Sequence, residues 1–101
     1  MEDAILQYIL SELTGRYDCH TIILYGSRAR EEHTLQSDYD VVGVRSAGDH
    51  IRDARFYKEC YLDLFILPES RILSPDDSLL YLHEGVVLLE KDRLGTQFLK
   101  S

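Results

Sequence analysis

The stretch YGSRAREEHTLQSDYDVV, residues 25–42, decides how this chain is read, because it joins a turn suited to phosphate to a pair of carboxylates. On its N-terminal side, His20 to Tyr25 (HTIILY) is a β-branched and aromatic run too short for a helix, and it ends abruptly at Gly26. This is a strand running into a tight turn. Glycine lets the backbone approach a ligand closely, amides at a helix start point outward, and the Ser27 hydroxyl adds a donor. Such a turn suits a phosphate group, although a lone Gly-Ser turn is more often only a turn. The residues that follow, SRAREEH from Ser27 to His33, have good helix propensity, so a short helix is expected there.

At the other end of the stretch, Ser37 and Asp38 mark a loop, and Tyr39 to Arg45 (YDVVGVR) reads as the second strand. Side chains two apart on a strand share a face, so Asp38 and Asp40 stand together while Tyr39 faces away. At about 5 Å, two like charges cost a few kcal/mol at an effective dielectric near 20, so one takes a proton or both bind a cation. Carboxylate oxygens with positions left open for phosphate oxygens suit magnesium better than a closed calcium cage. Two solvated acids at a loop mouth are the plain alternative for this pair.

Further along, Cys60 to Leu67 (CYLDLFIL) is the clearest strand, stopped by Pro68, with Lys58 and Glu59 able to form a hairpin turn into it. Asp63 interrupts that apolar run, where an aspartate is costly unless paired, hydrogen-bonded or metal-bound. On an edge strand its side chain would simply reach solvent. In a central strand beside the second strand, it would join Asp38 and Asp40 as a three-carboxylate site, as two-metal phosphoryl transfer requires.

The remaining elements complete one domain, residues 1–101. Ile5, Leu6, Ile9, Leu10 and Leu13 recur at helical spacing over residues 2–16, with Gly15 as the expected stop. Residues 51–57 (IRDARFY) are ambiguous between strand and helix. After Pro75, DDSLLYLHE suggests a short helix with acids in its first turn. Gly85 to Glu90 (GVVLLE) reads as a strand and Arg93 to Ser101 as a helix. Strands alternating with helices give an α/β (α+β) domain, a small mixed sheet flanked by helices.

The bulk composition narrows the function. With 18 acidic against 11 basic residues the formal charge is -7, so the surface repels nucleic-acid backbones and anionic lipid. Small anions are the better target. Cys19 and Cys60 fit no metal pattern and read as core residues in a reducing compartment. The acidic, amphipathic start MEDAILQYIL is unlike a signal peptide, and no segment approaches a membrane span, so a cytoplasmic protein is expected. His20, His33, His50 and His83 show no zinc spacing and are taken as structural. The tyrosines, seven in a chain without tryptophan, read as amphipathic edges of the core.

Together these residues carry a resemblance. An apolar residue, Gly26-Ser27, the ten residues Arg28 to Ser37, then Asp38-x-Asp40 and apolar residues are similar to the signature of the DNA polymerase beta type nucleotidyltransferase superfamily, and Asp63 matches its third acidic position. The short form resembles the minimal nucleotidyltransferases, many of which pair with a helical HEPN partner as toxin and antitoxin. It departs from many of these at Glu31, where they have glycine. The resemblance implies that Asp38, Asp40 and Asp63 are catalytic and bind two magnesium ions. It also implies that Gly26, Ser27 and Arg28 bind the nucleotide, and that AMP passes from ATP to a hydroxyl, plausibly on a HEPN toxin. Two other readings stand beside it: a non-catalytic nucleotide- or partner-binding module, and the N-terminal domain of a longer antibiotic nucleotidyltransferase.

Overall fold

In a computed structural model of the chain, residues 3–30, 37–74, 79, 82 and 84–100 are described. The elements run α1 (Ala4–Tyr17), β1 (Thr21–Tyr25), β2 (Tyr39–Arg45), β3 (Ile51–Tyr57), β4 (Cys60–Pro68), α2 (Glu69–Leu73), β5 (Val86–Leu89) and α3 (Leu94–Lys100). The five strands form one sheet in the order β3-β4-β2-β1-β5. Only β2 and β4 run parallel; every other neighbouring pair is antiparallel. The mixed sheet flanked by helices is the architecture expected from the sequence.

Helix α1 starts on Asp3, whose Oδ1 accepts from the amides of Ile5 at 2.9 Å and Leu6 at 3.2 Å. Its other oxygen accepts from the Tyr39 hydroxyl at 2.7 Å, so the cap also fastens the helix to β2. The helix does not stop at Gly15. It continues to Tyr17 and closes on Asp18 in the left-handed region, with φ 57°. An exposed glycine costs a helix about 1 kcal/mol, and tertiary contacts outweigh that here. The Tyr17 hydroxyl donates to Asp53 Oδ2 at 2.6 Å on β3, and Tyr8 stacks on Tyr57 at 3.8 Å between ring centroids.

The ambiguous segment 51–57 is a strand. Its alternation of half-buried and exposed residues follows from pairing with β4 through the Lys58-Glu59 turn, where both residues have positive φ (50° and 68°). That is the geometry of a two-residue hairpin turn matched to strand twist. Along β4, Leu62, Leu64 and Ile66 point to α1 and are fully buried, which leaves Asp63 and Phe65 on the opposite face.

Two apolar layers follow. Ile9, Leu13, Ile22, Val41, Leu62, Leu64 and Ile66 fill the space under α1. Ile23, Val42, Val44, Leu67, Ile72, Leu79, Leu82 and Phe98 form the second layer, on the side of α2 and α3. Each fully buried side chain of this size contributes about 1.5–3 kcal/mol. Cys19 and Cys60 are buried in the first layer without a disulfide, as expected, and burial pushes the Cys19 thiol up to about 11. The short helix α2 after Pro68 was not evident in the sequence. The helix expected over residues 76–84 lies largely outside the described residues, as do residues 31–33 of the helix expected after Ser27. Among the described residues, no helix is long and apolar enough to cross a membrane.

Candidate functional site

Because β1 is antiparallel to β2 while β2 is parallel to β4, the end of β1 and the starts of β2 and β4 meet at one end of the sheet. The register is explicit: Tyr25 pairs with Asp40, and Asp40 pairs with Asp63. Asp63 therefore sits in an internal strand beside Asp40 and on the same face, not on an edge. Residues two apart on β4 and β2 extend that face to Phe65 and Val42.

Gly26 follows directly on β1 with φ 76°, a conformation costly for any side chain. A Cβ at this position would collide with the Asp40 carboxylate. The glycine is thus required twice, for its backbone angle and for the close approach of the turn to the acid. Residues 27–30 then wind back over Gly26, whose carbonyl accepts from Ala29 N at 3.1 Å and Arg30 N at 3.3 Å. Ser27, half-buried, opens this turn.

Asp38 is exposed just ahead of β2, and Asp40 is half-buried. Burial first, then the charges of Asp63 and Asp38, raise the Asp40 pKa above the ordinary carboxylate value, with Arg30 opposing them. A half-buried carboxylate facing two like charges is poorly compensated by the protein alone, and a hard divalent cation would supply what is missing. In this respect the chemistry of the carboxylates around Asp40 suits a hard divalent cation.

Asp63 already has a partner. Arg52 of β3 grips it with both arms of its guanidinium, Nε to Oδ1 at 3.0 Å and Nη2 to Oδ2 at 3.1 Å. Among the described residues no trio of His, Cys, Asp or Glu side chains is gathered in ion-holding geometry. Asp40 and Asp63 are neighbours by strand register and Asp38 lies two residues ahead of Asp40, without convergence of the three carboxylates.

Arg28, the arginine that the resemblance assigns to the nucleotide, lies against Ser37 and Tyr39. Its Nε and Nη2 donate to the Ser37 carbonyl at 3.1 and 3.0 Å, and the guanidinium lies 3.8 Å from the centroid of the Tyr39 ring. It ties the Gly26-Ser27 turn to Ser37, the residue before Asp38. Arg30 is the arginine whose charge reaches Asp40; its Nη1 is also 3.7 Å from Glu84 Oε2. His20 stays structural at the far end of β1, its ring nitrogens each 2.9 Å from Thr21 Oγ1 and Glu69 Oε2.

Sequence reasoning missed Arg52, although a signal was present. Once Lys58-Glu59 is a two-residue hairpin turn, Tyr57 pairs with Cys60 and Ala54 with Asp63. Arg52 then stands diagonal to Asp63 on the same face, within reach of a long side chain.

No protein-family model matches the sequence, and a search of curated proteins finds no relative. Among solved structures, the chain is similar to a nucleotidyltransferase-like protein from Exiguobacterium sibiricum, with a TM-score of 0.68 over 93% of this chain at 20% identity. It spans only 36% of the length of that protein. The likeness is one of fold: five mixed strands and their helices are arranged here as in a nucleotidyltransferase-like protein.

Proposed function

We propose that this chain binds a nucleoside triphosphate with magnesium and transfers its nucleoside monophosphate, AMP from ATP, to a hydroxyl acceptor. The observation that carries this reading is the register that sets Asp40 beside Asp63 with the Gly26 turn pressed against Asp40. Asp38, Asp40 and Asp63 would hold two magnesium ions. Bound there, the ions neutralise the triphosphate and lower the pKa of the attacking hydroxyl. The Gly26-Ser27 turn offers backbone and hydroxyl donors to the β- and γ-phosphates, which leave as pyrophosphate. In the transfer, the acceptor oxygen would bond to the α-phosphorus as the bond to the bridging oxygen breaks, and Asp63, released from Arg52, would take the hydroxyl proton. Arg28 would act on the nucleotide indirectly, by holding Ser37 and therefore Asp38 in place.

The acceptor belongs to the same proposal. A residue on a helical HEPN-type partner, with this chain as antitoxin, follows from the resemblance of the motif to minimal nucleotidyltransferases. A role as one domain of a longer transferase is favoured by the 36% span of the structural neighbour. A non-catalytic module is favoured by the engagement of Asp63 with Arg52.

Incubation with ATP labelled at the α-phosphate, magnesium and a candidate acceptor tests the reading. Label should move to the acceptor and stop moving in Asp38→Ala and Asp40→Ala. Transfer that persists in both variants sinks the assignment, while ATP binding without transfer to any acceptor supports the non-catalytic module.

A further inference from the structure

Two arginines lie on β3 and face opposite sides of the sheet, and their surroundings differ in kind. Arg55, on the α1 side, is held by Asp53 at 2.5 Å, by Glu12 at 2.8 Å and by the Tyr8 hydroxyl at 2.7 Å, with 21% of its side chain exposed. It is a fixed joint between helix and sheet. Arg52, on the site side, has Asp63 as its one ion-pair partner among the described residues and keeps 57% of its side chain exposed, while Asp63 keeps 17%. Its other neighbour is the Phe65 ring, 5.3 Å from the guanidinium carbon to the centroid. Strand β3 is at the sheet edge, so nothing from a further strand confines that side chain.

We infer that Arg52 is a resident counter-ion, holding Asp63 in the metal-free protein and yielding it when a divalent cation enters beside Asp40. The inference rests on the proposed metal site and adds a competitor to it. Both Asp63 oxygens are committed to the guanidinium, so an ion that needs one of them loads against that pair. Exchange is favourable because a single guanidinium offsets one of three carboxylates, whereas a divalent cation offsets two. The pair is half in solvent, so its competition is modest and reversible. Arg52 is in this sense a positioning residue, setting where Asp63 points and how readily the site loads.

Manganese, a spectroscopically visible substitute for magnesium, provides the test: titrate it into the full chain and count free ion by electron paramagnetic resonance. In the unaltered protein, binding should depend on Asp40 and vanish in Asp40→Ala. Arg52→Gln should bind the ion more tightly by roughly 1.5- to fivefold, the range for losing one exposed pair. Arg52→Lys, which keeps the charge without the two-armed grip, should fall between. In an Asp63→Asn background the gain from Arg52→Gln should disappear.

Tightening is a change that local damage does not produce. Equal or weaker binding by Arg52→Gln, with binding still dependent on Asp40, overturns the inference and leaves the metal site standing. Absence of manganese binding in every variant overturns both.

Discussion

A cation site of the kind proposed above should weaken the protein that carries it, and Asp40→Asn measures by how much. Asp40 and Asp63 are register partners on adjacent strands, and neighbouring strands lie about 4.8 Å apart. Two full charges at about 5 Å repel by about 3 kcal/mol at an effective dielectric near 20. Arg52 offsets much of the Asp63 charge, and both Asp40 and its surroundings are open to screening, so the net penalty reduces to about 1 kcal/mol. Asparagine keeps the shape and removes the charge. The variant should therefore be more stable than the parent by about 1 kcal/mol without metal, a rise of about 4–8 °C in Tm for a domain of this size.

The effect should depend on pH in a definite sense. Asp40 has a raised pKa in the folded protein, so its ionised form is disfavoured on folding. Sites of this kind favour the fold below the unfolded pKa, about 3.9 for aspartate, and lose that contribution as pH rises through the folded value. The advantage of the asparagine should accordingly be absent below about pH 4 and grow as pH rises through the folded value. Thermal melts of both proteins from pH 3 to 8, with a chelator and again with excess magnesium, check the scheme. Magnesium should raise the Tm of the parent and leave the variant unmoved. A variant less stable than its parent at pH 7, or one that still gains from magnesium, refutes the charge argument.

Three further outcomes follow from the geometry. Gly26→Ala should cost about 1–3 kcal/mol by urea denaturation, from the φ of 76° and the collision with Asp40, and should be less costly in an Asp40→Ala background; strict additivity would show that the two do not touch. Replacing Lys58-Glu59 by Asn-Gly, residues that accept positive φ, should stabilise the hairpin by about 1 kcal/mol, and a loss would mean that the turn has another form. Asp53 is held below the ordinary carboxylate range by its bonds to Arg55 first and Tyr17 after, so its contribution is present above the unfolded value and lost as pH falls through the folded one; Asp53→Asn should flatten the acid limb of the stability curve below about pH 4, and an unchanged limb would remove Asp53 from the account.

How much of this was legible in the sequence depended on whether the deciding force was local. The limits of β2 coincide with YDVVGVR because a β-branched run between a polar loop and a polar stretch has one good solution. The Asp40-Asp63 pairing was available as a conditional statement, since an aspartate inside YLDLFIL needs a reason. Helix α1 overran Gly15 because the anchor for its last turn, Asp53, lies 36 residues away from Tyr17. Segment 51–57 was ambiguous for a similar cause. IRDARFY has no apolar period of its own, and becomes a strand by pairing with β4. The placement of Arg28 was hidden as well, because the sequence does not show a side chain bending back to a carbonyl nine residues on.

The same apolar pattern that specifies the fold also protects the site. Leu62, Leu64 and Ile66 alternate with Asp63 and Phe65 along β4, and all three pack without exposure under α1. A slip of β4 by one residue against β2 would turn Asp63 into that layer, among Ile9, Leu13 and Val41, and would turn the three large apolar side chains out. Exposing three such residues costs on the order of 5–9 kcal/mol, and burying a carboxylate without a partner adds several more. The misregistered sheet is therefore out of reach for a domain whose whole stability is expected at 5–15 kcal/mol. Asp63 needs no attraction to Asp40 to be delivered there. The leucines and isoleucine on the far side of the strand place it against the repulsion of its own neighbours, and Arg52 holds it there.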